Sequence, residues 1–362
     1  MNIIVWEVVK MIYDRWMDIS KYAFDTQTIK KKTKNEYGNN DILQHIKGQI
    51  LKFGFGYRHA GCITKSGKVY MWGDNKYGQL GIGNTESKPI PTLIPKRYFN
   101  NEKVVDIVLG GWHSGAITET GKLYIWGCND CGQLGIGNNI DAHKPTLLPS
   151  EYFNGEKPKQ LCLGYRHSGI ITESGQVYTW GRNEHGQLGV HDKTDRNTPT
   201  LIPQNEFNNM AVAQLAMGAH HTGAITENGV LYMWGWNCTY QLGCSLSKEI
   251  EYPYTTTKYN LNNKKIIKIS LGEVHTGVIT EDGDLYLWGN NQNKEIGIDT
   301  PGKRGFWNPD IIEKPLLMSK EIFDGEKIID VSLGDEYTKV LTENYRIFIC
   351  GWGEYWHELK YL

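Results

Sequence analysis

No apolar run in the 362 residues approaches the roughly 18 needed to cross a bilayer as a helix. The chain also lacks an excess of either charge. Lys and Arg total 39 against 40 Asp and Glu, a net charge of −1, so no global field draws it to nucleic acid or to an anionic membrane surface. A cleavable signal pattern is missing, because Glu7, Lys10, Asp14 and Arg15 interrupt the first apolar positions. Seven cysteines, an odd number in no framework spacing, fit a reducing compartment. Nor is there a phosphate loop of the G-x-x-x-x-G-K-[ST] kind. Together these absences predict a soluble intracellular protein, cytoplasmic or nuclear, with no membrane partner.

What the chain does have is self-similarity. The stretch LGGWHSGAITETGKLYIWG, residues 109–127, returns as FGYRHAGCITKSGKVYMWG, LGYRHSGIITESGQVYTWG, MGAHHTGAITENGVLYMWG and LGEVHTGVITEDGDLYLWG. Their tryptophans are Trp72, Trp126, Trp180, Trp234 and Trp288, four successive intervals of 54 residues. A sixth, worn copy, LGDEYTKVLTENYRIFICG, ends at Cys350-Gly351 after 62. A fixed period of this length marks a repeat architecture.

One repeat reads as four strands. KVVDIVLG, from Lys103, alternates and ends in Gly; HSGAIT is a short second strand; ETG is a tight turn; KLYIWG carries strand-favouring aromatic and β-branched residues. A polar, Gly-punctuated loop, CNDCGQLGIGNNIDAHK, then leads to PTLLP, whose prolines suit an edge. Four antiparallel strands every 54 residues describe a propeller blade, and radial repetition hides most sheet edges. The Gly five before each Trp, such as Gly121, is expected at positive φ in a two-residue turn. Each repeat tryptophan is large enough to fill the gap between adjacent blades, with about 150–250 Å² of burial.

The combined LG-x-x-H and WG-N-x-x-x-Q-L-G elements resemble the regulator of chromosome condensation repeat family over residues 49–351. That resemblance implies an all-β fold, a β-propeller, usually of seven blades. Six repeats are legible here, so the count stays at six or seven. The sixth copy has Tyr337 for His, Tyr345 for the turn Gly and Cys350 for Trp, and no fourth strand is evident. Residues 1–27 read as an N-terminal amphipathic helix, with Val5, Val9, Ile12, Trp16 and Ile19 on one face. Residues 28–48 read as a polar, basic linker that could help close the ring, and 49–362 as the propeller.

Candidates for chemistry dissolve into scaffolding. His59, His113, His167, His221 and His275 occupy one position in five blades, whereas a catalytic His is needed once; a shared hydrogen-bonding role is expected. A propeller holds them too far apart for one metal ion, whose Zn–N bonds are ~2.0–2.1 Å. His113 and Ser114 lack an orienting acid of their own. Cys128 and Cys131 form a single C-x-x-C, and a zinc site would need two more ligands. KKKTK at 30–34 reads as a solvated linker, with nuclear targeting or an acidic partner as its functional alternative. Neither catalytic residue, metal nor cofactor is expected.

Function must then lie where the repeats differ. The turn before each His and the loop after each WG emerge on one face. There the sequence gathers Tyr57, Arg58, Trp112, Tyr165, Arg166 and Trp236, with Lys76, Tyr77 and Arg182, and on the acidic side Glu273, Asp335 and Glu336. Aromatics with Arg are what protein interfaces enrich, and a face basic in blades one and three but acidic in five and six suits an oriented protein partner. The enlarged segment 293–315 adds Arg304, Phe306 and Trp307 as a basic-aromatic turn. The expected function is a non-catalytic protein-binding scaffold. The resemblance also implies an alternative, guanine-nucleotide exchange on a small GTPase of the Ran type. Chromatin binding, another family property, is opposed by the balanced charge. Light sensing is opposed by Tyr57 and Tyr165 standing where relatives place tryptophans.

Overall fold

The computed structural model describes residues 49–255, 261, 264–299 and 310–359. The expected N-terminal helix and the 28–48 linker lie outside them. The described chain forms six four-stranded antiparallel sheets, each a meander in chain order. Blade one contains β1 (Ile50–Phe55), β2 (His59–Thr64), β3 (Val69–Gly73) and β4 (Lys88–Leu93). Blade two contains β5 (Val104–Leu109), β6 (His113–Thr118), β7 (Leu123–Gly127) and β8 (Ala142–Leu148). Blade three runs β9 (Pro158–Leu163), β10 (His167–Thr172), β11 (Val177–Gly181) and β12 (Arg196–Ile202), and blade four β13 (Val212–Met217), β14 (His221–Thr226), β15 (Leu231–Trp236) and β16 (Glu249–Thr255). Blade five runs β17 (Ile266–Leu271), β18 (His275–Thr280), β19 (Leu285–Asn290) and β20 (Ile311–Leu317), and blade six β21 (Ile328–Leu333), β22 (Tyr337–Thr342), β23 (Ile347–Gly351) and β24 (Glu354–Glu358). No helix among the described residues is long and apolar enough to cross a membrane.

The core lies between blades. Ile63, Met71 and Leu80 of blade one pack with Ile107, Ala116 and Trp126 of blade two, and each later junction repeats the arrangement. The second strands of blades one to five are buried along their whole length, and that of blade six at alternate positions. In each slot sits the repeat indole, whose Nε1 donates to the backbone carbonyl of the preceding blade's loop Gln: Trp126 to Gln79 at 3.0 Å, and Trp180 to Gln133, Trp234 to Gln187 and Trp288 to Gln241 at 2.9 Å each. The following loop Gly is required by this contact. Gly135 has φ +68°, and a Cβ there would lie 2.7 Å from Trp180 Nε1.

Three sequence expectations change. First, the second-to-third connection is not a two-residue turn. Gly121 N–H donates to Thr118 O and Thr118 N–H to Lys122 O, with positive φ at Gly121 alone, so it is a three-residue turn closed by a left-handed glycine. In blade six Tyr345 adopts the same conformation at φ +63°.

Second, blade six has its fourth strand. β24 pairs with β23 through Phe348↔Glu358 and Ile349↔His357. It also restores the missing indole. Trp356 Nε1 donates to Ile296 O at 2.9 Å, and a Cβ on Gly297 would meet that ring at 2.4 Å, as one on Gly135 would meet Trp180. The slot vacated by Cys350 is filled from the neighbouring strand.

Third, a further aromatic column lies in segments to which the repeat pattern assigns no element. Short 3-10 turns bury Phe99, Phe153, Phe207 and Phe323. Phe99, Phe153 and Phe207 pack at 6.0–6.3 Å from Trp126, Trp180 and Trp234, and Phe323 at 5.2 Å from Trp356.

The candidate interaction face

Each LG-x-x-H element turns the chain from a first strand into a second. Its Gly is packed so closely that a Cβ on Gly164 would stand 2.2 Å from the His167 ring and 2.6 Å from Gly218 O of the next blade. The histidine then reaches across the junction. His59 Nε2 lies 2.9 Å from Ser114 Oγ, His113 2.8 Å from Ser168, His167 3.1 Å from Thr222, His221 3.2 Å from Thr276 and His275 3.0 Å from Thr338. Each hydroxyl donates its own hydrogen bond to a loop carbonyl, as Ser168 does to Gln133 O at 2.7 Å. It must therefore accept from the ring, which fixes the Nε2–H tautomer. Burial holds these histidines at a pKa of about 4 (His59) or about 3 (the other four), so they are neutral.

The two residues between Gly and His diverge. The first position reads Tyr57, Gly111, Tyr165, Ala219, Glu273 and Asp335 through the six blades. Tyr57 and Tyr165, two blades apart, meet with centroids 5.5 Å apart, a contact that Gly111 permits, since a Cβ there would lie 2.8 Å from Tyr165 Cα. The Tyr165 hydroxyl lies beside the Asp335 carboxyl of blade six, short of ordinary hydrogen-bond geometry.

The second residue leans on the loop of the preceding blade. Trp112 meets Tyr77 at 5.8 Å and Tyr57 at 5.2 Å. Arg166 forms an ion pair with Asp130. His220 meets His185 at 5.3 Å, and both pack on Trp236 at 5.8–5.9 Å. The sequence reading brought these turns and loops to one face but did not single out Glu184 or His185. Arg304, Phe306 and Trp307 lie outside the described residues.

The charge on this face is unevenly compensated. Arg166 is paired with Asp130 and Arg182 with Glu184, so blade three is not the open basic patch that its sequence suggests. Arg58 lies over the ring of its neighbour Tyr57 at 5.3 Å. Across the axis, Glu273, Asp335 and Glu336 have no ion pair among the described residues. Burial first, then the neighbouring acids, raises the Glu273 carboxyl to about 7; burial and Glu336 raise Asp335 to about 6.

Of the C-x-x-C, Cys128 is buried, with its thiol pushed up to about 12 by burial, and Cys131 is half-buried; both are free thiols. The single group of three metal-capable donors among the described residues is Glu184, His185 and His220.

A family model for the RCC1-like domain matches residues 24–259. The ultraviolet-B receptor UVR8 of Arabidopsis thaliana is 34% identical over 274 residues, 73% of this chain and 58% of the receptor. The human E3 ubiquitin-protein ligase HERC2 is 31% identical over 289 residues, 79% of this chain but 6% of the ligase. The chain thus spans about half of one relative and a small part of the other. Among solved structures, human WBSCR16 superposes with a TM-score of 0.73 at 21% identity, covering 86% of this chain and 82% of that one. Prp20p of Saccharomyces cerevisiae does so with a TM-score of 0.72 at 23% identity, covering 86% and 77%. The repeats, the blade-to-blade indole stitch and these matches together place the chain in the RCC1-like propeller family.

Proposed function

We propose that this propeller is a non-catalytic interaction module that receives a protein partner on the loop face. One observation carries the reading: the half-buried carboxyls Glu273 and Asp335, with Glu336, lie beside Tyr165 of the Tyr57, Trp112 and Tyr165 aromatic cluster and have no cation of their own among the described residues. Uncompensated acids beside aromatic anchors are what a basic group of a partner would complete. Tyr57 is 38% exposed despite its aromatic neighbours, leaving a ring for a partner to cover. On this reading Arg58, Arg166 and Trp236 form the rim, and Arg304, Phe306 and Trp307 an additional arm.

The test compares affinity capture by the wild type, the face variants Tyr57→Ala/Trp112→Ala and Asp335→Asn/Glu336→Gln, and the opposite-face variant Glu119→Ala. Partners lost from the face variants and kept by Glu119→Ala, at matched melting temperatures, support the reading. Equal capture by all of them overturns it.

Guanine-nucleotide exchange on a small GTPase is the sharper alternative. Prp20p has binding properties toward Gsp1p and histones, and the enlarged interval before blade six supplies the one segment long enough to act as a wedge. Accelerated release of labelled GDP from a Ran-type GTPase, lost on trimming residues 300–307, is the result this alternative requires.

A further inference from the structure

The junction of blades three and four differs in kind from its neighbours. Where the preceding junctions hold an aromatic pair and an ion pair, this one holds imidazoles and carboxylates. We propose that Glu184, His185 and His220 form a binding site for a divalent transition-metal ion of the zinc class.

The donor set fits the chemistry. One donor atom from each residue lies within 4.8 Å of the others. His185 Nε2 and Glu184 Oε1 are 3.0 Å apart, close to the ~3.3 Å edge of a tetrahedron whose metal–ligand bonds are about 2.0–2.1 Å. Two imidazoles and one carboxylate are a recurrent zinc set that leaves a fourth position open.

The surroundings hold the donors in place. His185 Nδ1 is bonded to Glu249 Oε1 at 2.6 Å. A carboxylate on the far nitrogen of an imidazole sets the tautomer that presents Nε2 as a lone pair. Glu249 is itself held by Lys193. Arg182 takes Glu184 Oε2 at 2.5 Å, so the carboxylate would bind through Oε1 alone. His220 Nδ1 is buried without a hydrogen-bond partner, and the Trp236 ring walls both imidazoles.

The donors come from the loop after β11 and the turn before β14. An ion here would therefore clamp two blades together on the proposed interaction face, and its open position would point to solvent or to a partner's side chain. The inference does not depend on that face binding a partner.

The test is titration of the chelator-treated full chain with Zn²⁺ by calorimetry, and with Co²⁺ by visible absorption. One ion per chain is expected, with a tetrahedral Co²⁺ spectrum, and Kd should rise at least tenfold in His220→Ala and in Glu184→Gln. Cys128→Ser/Cys131→Ser should bind as the wild type does. If a variant fails to fold, Zn²⁺-induced shifts of the His185 and His220 ring resonances in the unsubstituted protein decide the matter. Binding that survives both ligand variants, that falls only with the cysteines, or that leaves those two rings unshifted overturns the proposal, as does no binding at millimolar Zn²⁺.

Discussion

The indole Nε1 of Trp180 donates to the backbone carbonyl of Gln133, one blade earlier, at 2.9 Å, and Ser168 Oγ donates to the same oxygen at 2.7 Å. One carbonyl thus accepts a hydrogen bond from each of two neighbouring strands, β10 and β11, and fastens blade two to blade three. Trp180 is fully buried. Trp180→Ala should cost about 3–5 kcal/mol of unfolding free energy, as large aromatic truncations do. Trp180→Phe keeps most of the packing and leaves Gln133 O its serine partner, so the loss should be about 1–3 kcal/mol. Urea titration followed by tryptophan fluorescence and far-UV dichroism measures both. A loss below about 1 kcal/mol for the alanine variant would mean that the indole does not hold the junction.

Blade six offers a sharper test of the same slot. Trp356 reaches it from β24, whereas its counterparts reach it from the third strand. Trp356 is half-buried where Trp126, Trp180, Trp234 and Trp288 are fully buried, so Trp356→Ala should destabilise by less than truncation of those tryptophans does, and Cys350→Trp alone should overpack a filled slot, costing about 1–3 kcal/mol. The double variant Cys350→Trp/Trp356→Ala returns the indole to the position used by the other blades. Its loss should be smaller than the sum of the single losses by at least ~1 kcal/mol, in a double-mutant cycle. Strict additivity would show that the two side chains do not share a site.

That exchange also marks where sequence legibility ends. Trp72 to Trp288 and the five histidines stand out because identical residues recur at identical spacing. Trp356 does the same job one strand later, out of register with the copies, so a comparison by position misses it and reports a lost blade edge. Phe99, Phe153 and Phe207 are as periodic as the tryptophans, with Leu261 continuing the column. The three phenylalanines lie four residues after Pro95, Pro149 and Pro203, in stretches that the strand pattern leaves unassigned, and only their burial identifies them as core. Glu184 and His185 give no periodic signal. Their relation to His220 exists because a blade-three loop meets a blade-four turn, a juxtaposition that depends on how the blades pack. The compensation of Arg166 by Asp130 was hidden for the same reason.

The neutral histidines predict an acid limit to stability. Their folded pKa values, about 3 to 4, lie below the ~6.5 of an unfolded histidine. The unfolded chain therefore takes up these protons first. The stability they confer is complete above about pH 6.5 and is lost as pH falls toward the folded values, by up to ~1.4 kcal/mol per pH unit for each histidine. His113→Gln keeps an N–H donor for Ser168 and should cost about 1 kcal/mol at pH 7.5, while making the melting temperature less steep between pH 6.5 and 4.5. Partner capture should persist at pH 7.5. Loss of capture with an unchanged melting temperature would instead place this histidine in the interaction itself.

Glu273 has the opposite dependence. It faces Asp335, Glu336 and Glu295, and with burial as the larger cause its carboxyl is raised from an ordinary 4.5 to about 7. The folded protein keeps this proton longer than the unfolded chain does. As pH rises from about 4.5 to about 7, the unfolded carboxyl ionises first and stability is lost; above that the loss is constant. Glu273→Gln removes the ionisable group and keeps the shape, so it should match the wild type near pH 4.5 and melt higher at pH 8. The group is half exposed, and solvent screening reduces the size of the effect without changing its sign. A basic partner group docking beside Glu273 would favour the carboxylate, so binding near pH 6.5 should release protons, seen in calorimetry as a heat that changes with the ionisation enthalpy of the buffer. Glu273→Gln should reduce that proton release. If its melting temperature tracks the wild type at every pH, the acidic side of the face is already compensated, and the charge argument for a basic partner falls with it.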